Sequence, residues 1–407
     1  MPAKWKKNAE PQHLFAYINK SRHVDENDQV RLKGFTIDYC RPALSAMIEV
    51  SDKITDDDRH EIFNSTLWNR ITSGDLEPNT FLEEFDKQYR SHLGIPKKRY
   101  QLRTSISMYP EISIPKMKEA GCVFVWQRGS ARLEKERKRV IGNRDEACDF
   151  DDSLYTPVRV FVQARTVHKA MHDGLEALDY IRGLLNVATV PPIRITKAGT
   201  SRPANTFVLG PNHTIHNNRG ACETDMFWYD TQYRSMLSSY KDTPAWTKVI
   251  EYVLRLRKKV IRNSKSKQII RAVVGYCRAL DEWDHTSAFI QLWSVLELLT
   301  GSPRQYDVVV RRALFCYKDL DHNKQMLEHL RDVRNRYVHR RESSVEMQSN
   351  MFMLADYVRT LIRFYIFHGN RFERLQDIHE LMDTPKEAGA LNKKAAMIDF
   401  TRRYRRV

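Results

Sequence analysis

Hydrophobic positions change their spacing along the chain, and the changes mark its organisation. Up to about Ser91 they fall at loose helical intervals, which predict helices over Asp58 to Ile71 and Thr80 to His92. From Arg99 they condense into short β-prone runs, Tyr100 to Met108, Cys122 to Gln127 and Val158 to Ala164, separated by proline, glycine and charge. Such runs form the strands of a small sheet. Val167, Met171, Leu175, Leu178, Ile181 and Leu184 then recur at helical spacing, so a helix over Arg165 to Leu185 should lay one face on that sheet.

Two intervening segments lack such periodicity. Arg128 to Arg144 is dense in arginine and lysine and runs into acidic Asp145 to Asp152, so it reads as an exposed arm. Pro191 to His216 is rich in turn formers, with Thr206 to Leu209 and Thr214 to His216 placed to pair as a hairpin. Asn217 to Asp242 reads as a connection.

Beyond Thr243 proline and glycine nearly vanish until Gly301, and helix formers dominate. Six helices are expected, at about 243–262, 265–283, 286–300, 305–319, 322–340 and 344–368. The last opens at Ser343 and Glu346, the spacing of a capping box. Its Met347, Met351, Leu354, Val358, Leu361 and Tyr365 alternate spacings of four and three, the seam of a helix in a bundle. From Thr384 the chain turns to alanine, glycine and lysine and reaches Arg402, Arg403, Tyr404, Arg405 and Arg406, a flexible basic tail with room for a short helix. The expected fold class is α+β: an N-terminal mixed domain over 1–240, an all-α bundle over 241–383 and the tail over 384–407.

With 407 residues, 42% of them hydrophobic, the chain is long enough to bury real cores. No apolar stretch has the length of a membrane span, and Met1 to Lys7 is basic with no apolar segment behind it, so the expected location is the cytoplasm. A formal charge of +16 favours a polyanionic partner, because each phosphate neutralised by Lys or Arg releases condensed counterions. The six cysteines form no CxxC pair, which argues against a zinc site or disulfide framework. No glycine-rich phosphate loop is present.

The residues with the most chemistry lie in the helix around Leu330. Met326, Leu330, Val333 and Tyr337 should face the core, leaving Asp332, Asn335, Arg336 and His339 on a polar face with Arg334 beside it. Asn335 and His339 stand one turn apart. RNA carries its own nucleophile in the ribose 2′-hydroxyl, so a protein that cleaves it has only to move protons and stabilise charge on phosphorus. An imidazole with an ordinary pKa of about 6.5 suits the first task, and a permanently charged guanidinium the second. An amide can orient either group. No metal or cofactor is required. The competing view of this face is a solvated surface with a pair such as Asp332 and Arg336.

Arg334, Asn335, Arg336, Tyr337, Val338 and His339 spell RNxxxH, and Leu292 to Leu298 contains Trp293, Leu296 and Glu297 in a Trp-x-x-Leu-Glu pattern. In both respects the chain resembles the HEPN superfamily, specifically its ApeA-like branch. The likeness covers roughly Thr243 to Arg371. It implies a HEPN-type bundle acting as a metal-independent endoribonuclease, in antiviral defence or toxin-type growth arrest, with its site formed between two bundles of a homodimer. His339 would be the acid or base, Arg334 would bind the scissile phosphate and Asn335 would orient; products would carry a 2′,3′-cyclic phosphate and a 5′-hydroxyl. Glu297 falls on an otherwise apolar stripe, and Arg334 is the expected partner of its carboxylate. Arg331, Arg336, Arg340 and Arg341 flank the motif and are expected to hold the RNA backbone. The N-terminal domain would then sense or gate, through a regulatory ligand or protein partner.

Other signals carry less. His168, His172 and Glu176 have metal-capable spacing but lack a HExxH motif, and His213, His216 and Cys222 could share an ion only if their loop folded back. Phe227, Trp228, Tyr229, Tyr233 and Tyr240 suit either base stacking or interdomain packing. The reading from another class is a non-catalytic nucleic-acid-binding or scaffolding protein that dimerises through its bundle.

Overall fold

The computed structural model describes residues 3–27, 29–50, 54–74, 76–108, 114–142, 155–189, 203–230, 233, 243–302, 305–340, 346–385 and 387–405. In chain order the first elements are β1 (Lys4–Trp5), α1 (Pro11–Ser21), β2 (Arg22–Val24), β3 (Val30–Leu32), α2 (Thr36–Met47), β4 (Ile48–Glu49), α3 (Asp56–Ser73) and α4 (Pro78–Gly94). Both helices expected from spacing here form, each extended by a few residues. Their apolar faces close a first core: Phe81 of α4 packs 5.3 Å from Phe15 of α1 and 5.3 Å from Phe63 of α3, with Phe85 and Tyr89 continuing its stripe. α3 stops at Gly74, whose φ of +76° glycine adopts without penalty.

The sheet follows: β5 (Lys98–Ile106), β6 (Met117–Glu119), β7 (Cys122–Val125), α5 (Ala131–Gly142), β8 (Thr156–Ala164), α6 (Val167–Thr189), β9 (Asn212–His216) and β10 (Trp228–Tyr229). Its strand order is β10-β9-β5-β8-β7-β6, antiparallel throughout, with Leu102 opposite both Val160 and Ile215. The three strands expected from composition are present. The hairpin is not: β9 pairs with β5 and β10, while Leu209 makes only an isolated bridge to Ile106.

α6 packs on one face of the sheet, as its stripe requires. The other face corrects the expected arm, because 131–142 is a helix with Leu133, Arg137 and Val140 buried. Arg137 donates to the carbonyls of Arg103 and Asn212 and to Thr214, and Arg103 pairs with Glu134 at 2.9 Å. A dense charge run can thus be amphipathic when its arginines bond to strand carbonyls. Arg144 and the acidic run 145–152 lie outside the described residues.

The remaining elements are α7 (Thr243–Ile261), α8 (Ser266–Asp281), α9 (His285–Thr300), α10 (Tyr306–Ala313), α11 (Leu320–Arg340), α12 (Met347–His368), α13 (Leu375–Met382) and α14 (Ala388–Arg405). All six expected helices form, although α10 ends early in a 3-10 turn at Leu314–Cys316. The seam of α12 from Met347 to Tyr365 is buried. Ser343 lies outside the described residues, and the N-cap of α12 is Glu346, whose side chain does not cap the helix. The tail forms α14, none of whose residues is buried.

The chain is therefore mixed α and β, with small sheets and a helical C-terminal region. Its second core runs unbroken from Tyr100 to Met382, because α6 is covered by the sheet on one side and by α7 and α8 on the other. The expected boundary near 240 falls in residues outside those described. At Gly183 a Cβ would come within 2.6 Å of the Val273 carbonyl oxygen, so α6 and α8 approach at a residue with no side chain. Beside that crossing Arg182, 1% exposed, donates two 2.9 Å bonds to Asp281 and a further one to Asp179. Among the described residues no helix is long and apolar enough to cross a membrane.

Candidate active site

α11 is held by Leu327, Leu330 and Val333, all buried against the bundle; Met326 packs at its edge and Tyr337 is half-buried. Leu327 was missing from the expected stripe, which is thus rotated slightly toward it. Anchored this way, the helix turns Arg334 and Asn335 to a half-buried margin and leaves Arg336, His339 and Arg340 exposed.

The margin is built by three helices. In α9 the Trp293 indole N–H donates to Glu297 Oε1 at 3.0 Å, one helical turn along. The Trp293 ring leans on Tyr306 at the start of α10, with centroids 6.4 Å apart. Over Tyr306 lies the Arg334 guanidinium, 4.6 Å from the ring centre. Arg334 also reaches the Asn335 side-chain oxygen at 3.5 Å. The expected Glu297–Arg334 ion pair is not what forms: Glu297 takes an indole from its own helix, and Arg334 takes an aromatic face. Glu297 and Arg334 stand at the two ends of a run of contacts through Trp293 and Tyr306.

Beside this stack opens a cleft of about 490 Å³ lined by Gln305, Tyr306, Asp307, Val308, Arg331 and Asn335. Arg331 is already engaged, at 2.7 Å from Asp307, 2.7 Å from Glu328 and 3.6 Å from Asp332. Asp332 thus faces Arg331 and not Arg336. His339 lies one turn beyond Asn335, exposed, with no hydrogen bond or ion pair to any described residue. The structure therefore joins Arg334 and Asn335, leaves His339 free on the same helix, and ties Arg331 into a carboxylate cluster. Arg341 lies outside the described residues.

Sequence spacing had no means of finding Tyr306, whose role comes from a contact between two helices. His329 was likewise overlooked; its Nε2 lies 3.0 Å from the buried Asn350 side-chain oxygen, which makes it part of the α11–α12 packing.

Among the described residues two groups have the donor types of a metal site. Asp179, Cys277 and Asp281 converge, but Arg182 already supplies their positive charge. Asp58, Glu61 and His168 converge in the same way. His172 turns to Asp173 and Glu176, away from any site shared with His168. His216 bonds the Gly220 carbonyl through Nδ1 and Thr214 through Nε2, which leaves neither nitrogen for an ion. Of the aromatic run, Trp228 and Tyr229 form β10, Tyr233 is buried with its hydroxyl bonded to Tyr155, and Tyr240 lies outside the described residues.

Comparison with protein-family models, with curated proteins and with solved structures returns no match to this chain.

Proposed function

We propose that the chain is a metal-independent endoribonuclease of HEPN type that cleaves RNA by attack of the ribose 2′-hydroxyl on the adjoining phosphate. The observation that carries this reading is the pairing, on one helix, of an unengaged exposed imidazole at His339 with a guanidinium at Arg334 whose position is set by stacking. Stacking occupies the face of the guanidinium and leaves its N–H edge for phosphate oxygens, the geometry that stabilises charge building on phosphorus.

In this scheme the bond from the 2′-oxygen to phosphorus forms as the bond to the 5′-oxygen breaks. An imidazole takes the 2′ proton, and a protonated imidazole supplies one to the departing 5′-oxygen. One chain carries one His339, so a two-fold homodimer, which brings a second copy of the motif to the same phosphate, completes the set. Asn335, on the cleft wall beside Arg334, orients the phosphate. Exposed Arg336 and Arg340 hold the RNA backbone. A role in defence or growth arrest, and gating by the N-terminal half, belong to the same proposal.

The test is His339→Ala. The exposed side chain contributes nothing to the core, so the variant should fold and bind RNA as the native chain does while cleavage stops. Undiminished cleavage would remove the enzyme reading and leave a nucleic-acid-binding or scaffolding role.

A further inference from the structure

Away from the α10–α11 cleft, where α3, α4 and the start of α6 meet, Asp58 is 1% exposed. Its Oδ2 accepts hydroxyl bonds from Thr55 at 2.8 Å and Thr166 at 3.0 Å. Its backbone N–H donates to Thr55 Oγ1 at 3.1 Å. These bonds are those of an acidic residue in the first turn of a helix, and they account for Oδ2 fully. They do not account for Oδ1, which is buried with no hydrogen-bond partner. A carboxylate oxygen removed from water and left unpaired is unfavourable, so its surroundings are where a cation belongs.

Those surroundings hold the donors for one. His168 of α6 presents Nδ1 3.9 Å from Asp58 Oδ1. Glu61, three residues after Asp58 and on the same face of α3, brings a second carboxylate, and one ligand atom from each of Asp58, Glu61 and His168 lies within 4.8 Å of the other two. His92 of α4 flanks them with Nε2 3.7 Å from Asp58 Oδ2. These separations are too long for direct hydrogen bonds. Metal–ligand bonds of about 2.0–2.2 Å set ligand atoms some 3–4 Å apart, so little closure is needed. Glu61 is exposed and has the room to supply it, while the hydroxyls of Thr55 and Thr166 fix Asp58 in place. The His168 ring is backed edge-on by Trp228 at 6.0 Å.

The geometry points to a divalent metal site in which Asp58, Glu61 and His168 bind a zinc-class ion, flanked by His92. Imidazole together with carboxylate favours a first-row transition ion over calcium or magnesium. The ion has a structural use. α3 and α4 belong to the first core and α6 to the second, so one ion clips the two together across more than a hundred residues of sequence. This site shares no residue with α11 and does not depend on the reading of His339.

Cobalt(II), added to the untagged full chain and followed by its visible d–d absorption, tests the site. One ion per chain is expected, displaced by zinc. His168→Ala and Glu61→Gln should each weaken binding by about ten-fold or more, whereas His172→Ala, one turn along α6, should bind as the native chain does. Asp58→Asn removes the central ligand but also a buried structural contact, so the judgement rests on the two more accessible variants. Absence of saturable binding, or binding unchanged in either His168→Ala or Glu61→Gln, overturns the assignment.

Discussion

The Arg334 guanidinium lies over the Tyr306 ring at 4.6 Å from its centre, and this contact couples the motif helix α11 to the start of α10. Cation–π contacts of this kind contribute about 0.5–2 kcal/mol. If the stack positions Arg334 for phosphate, Tyr306→Ala should lower kcat/KM for RNA cleavage by roughly 2- to 30-fold, with Tyr306→Phe close to the native value. Equal losses in both variants would show that the phenol hydroxyl matters and the ring does not.

Arg334→Lys retains the charge but loses the planar fork. The expected fall in single-turnover cleavage is about a hundred-fold, the scale found when one transition-state donor is removed. RNA binding should change far less, since Arg336 and Arg340 remain.

A substrate with a single 2′-deoxyribose at the scissile position should bind normally and resist cleavage there. Cleavage at that position, read by end-group analysis, would exclude attack by the 2′-hydroxyl and with it the chemistry proposed for His339.

How far these expectations were readable from sequence depended on the range of the contact involved. The long amphipathic helices α6 and α12 announced themselves because burial on one face repeats every turn. RNxxxH was visible because its residues are neighbours on α11. Tyr306 was not, since its value to Arg334 arises from the angle between two helices. α5 was misread because its charges suggested solvent, whereas Arg137 donates to the carbonyls of Arg103 and Asn212. Asp58 and His168 belong to different helices, and no pattern of spacing joins them.

His216 supplies a pH prediction. Burial pushes its pKa down to about 4 despite its bond to the Gly220 carbonyl. The unfolded imidazole takes its proton near pH 6.5, while the folded one stays neutral until about pH 4. Its contribution is therefore complete above pH 6.5 and is lost as pH falls toward 4, amounting to about 3 kcal/mol. Urea midpoints measured at pH 7 and pH 4.5 should fall further apart for the native chain than for His216→Gln.

Arg182 balances Asp179 and Asp281 at the crossing of α6 with α8. Arg182→Met takes the guanidinium from Asp281, while Asp179 keeps its pair with Arg278, and should cost about 3 kcal/mol in denaturant unfolding, the low end for breaking a buried pair. Burial already pushes the Asp281 carboxyl up, so the variant should recover part of the loss in acid as that group takes a proton.

The position of α6 decides what can be separated from what. With the sheet on one flank and α7 and α8 on the other, α6 meets Leu102 and Val162 of the sheet at Gly174 and Val273 of α8 at Gly183, so it belongs to both halves of the molecule at once. A gene cut near codon 240 would hand each fragment a raw apolar wall, and two insoluble products are expected where independent modules would give two soluble ones. A signal passing from the sheet to α11 has a route through the packing that α6 shares with both halves.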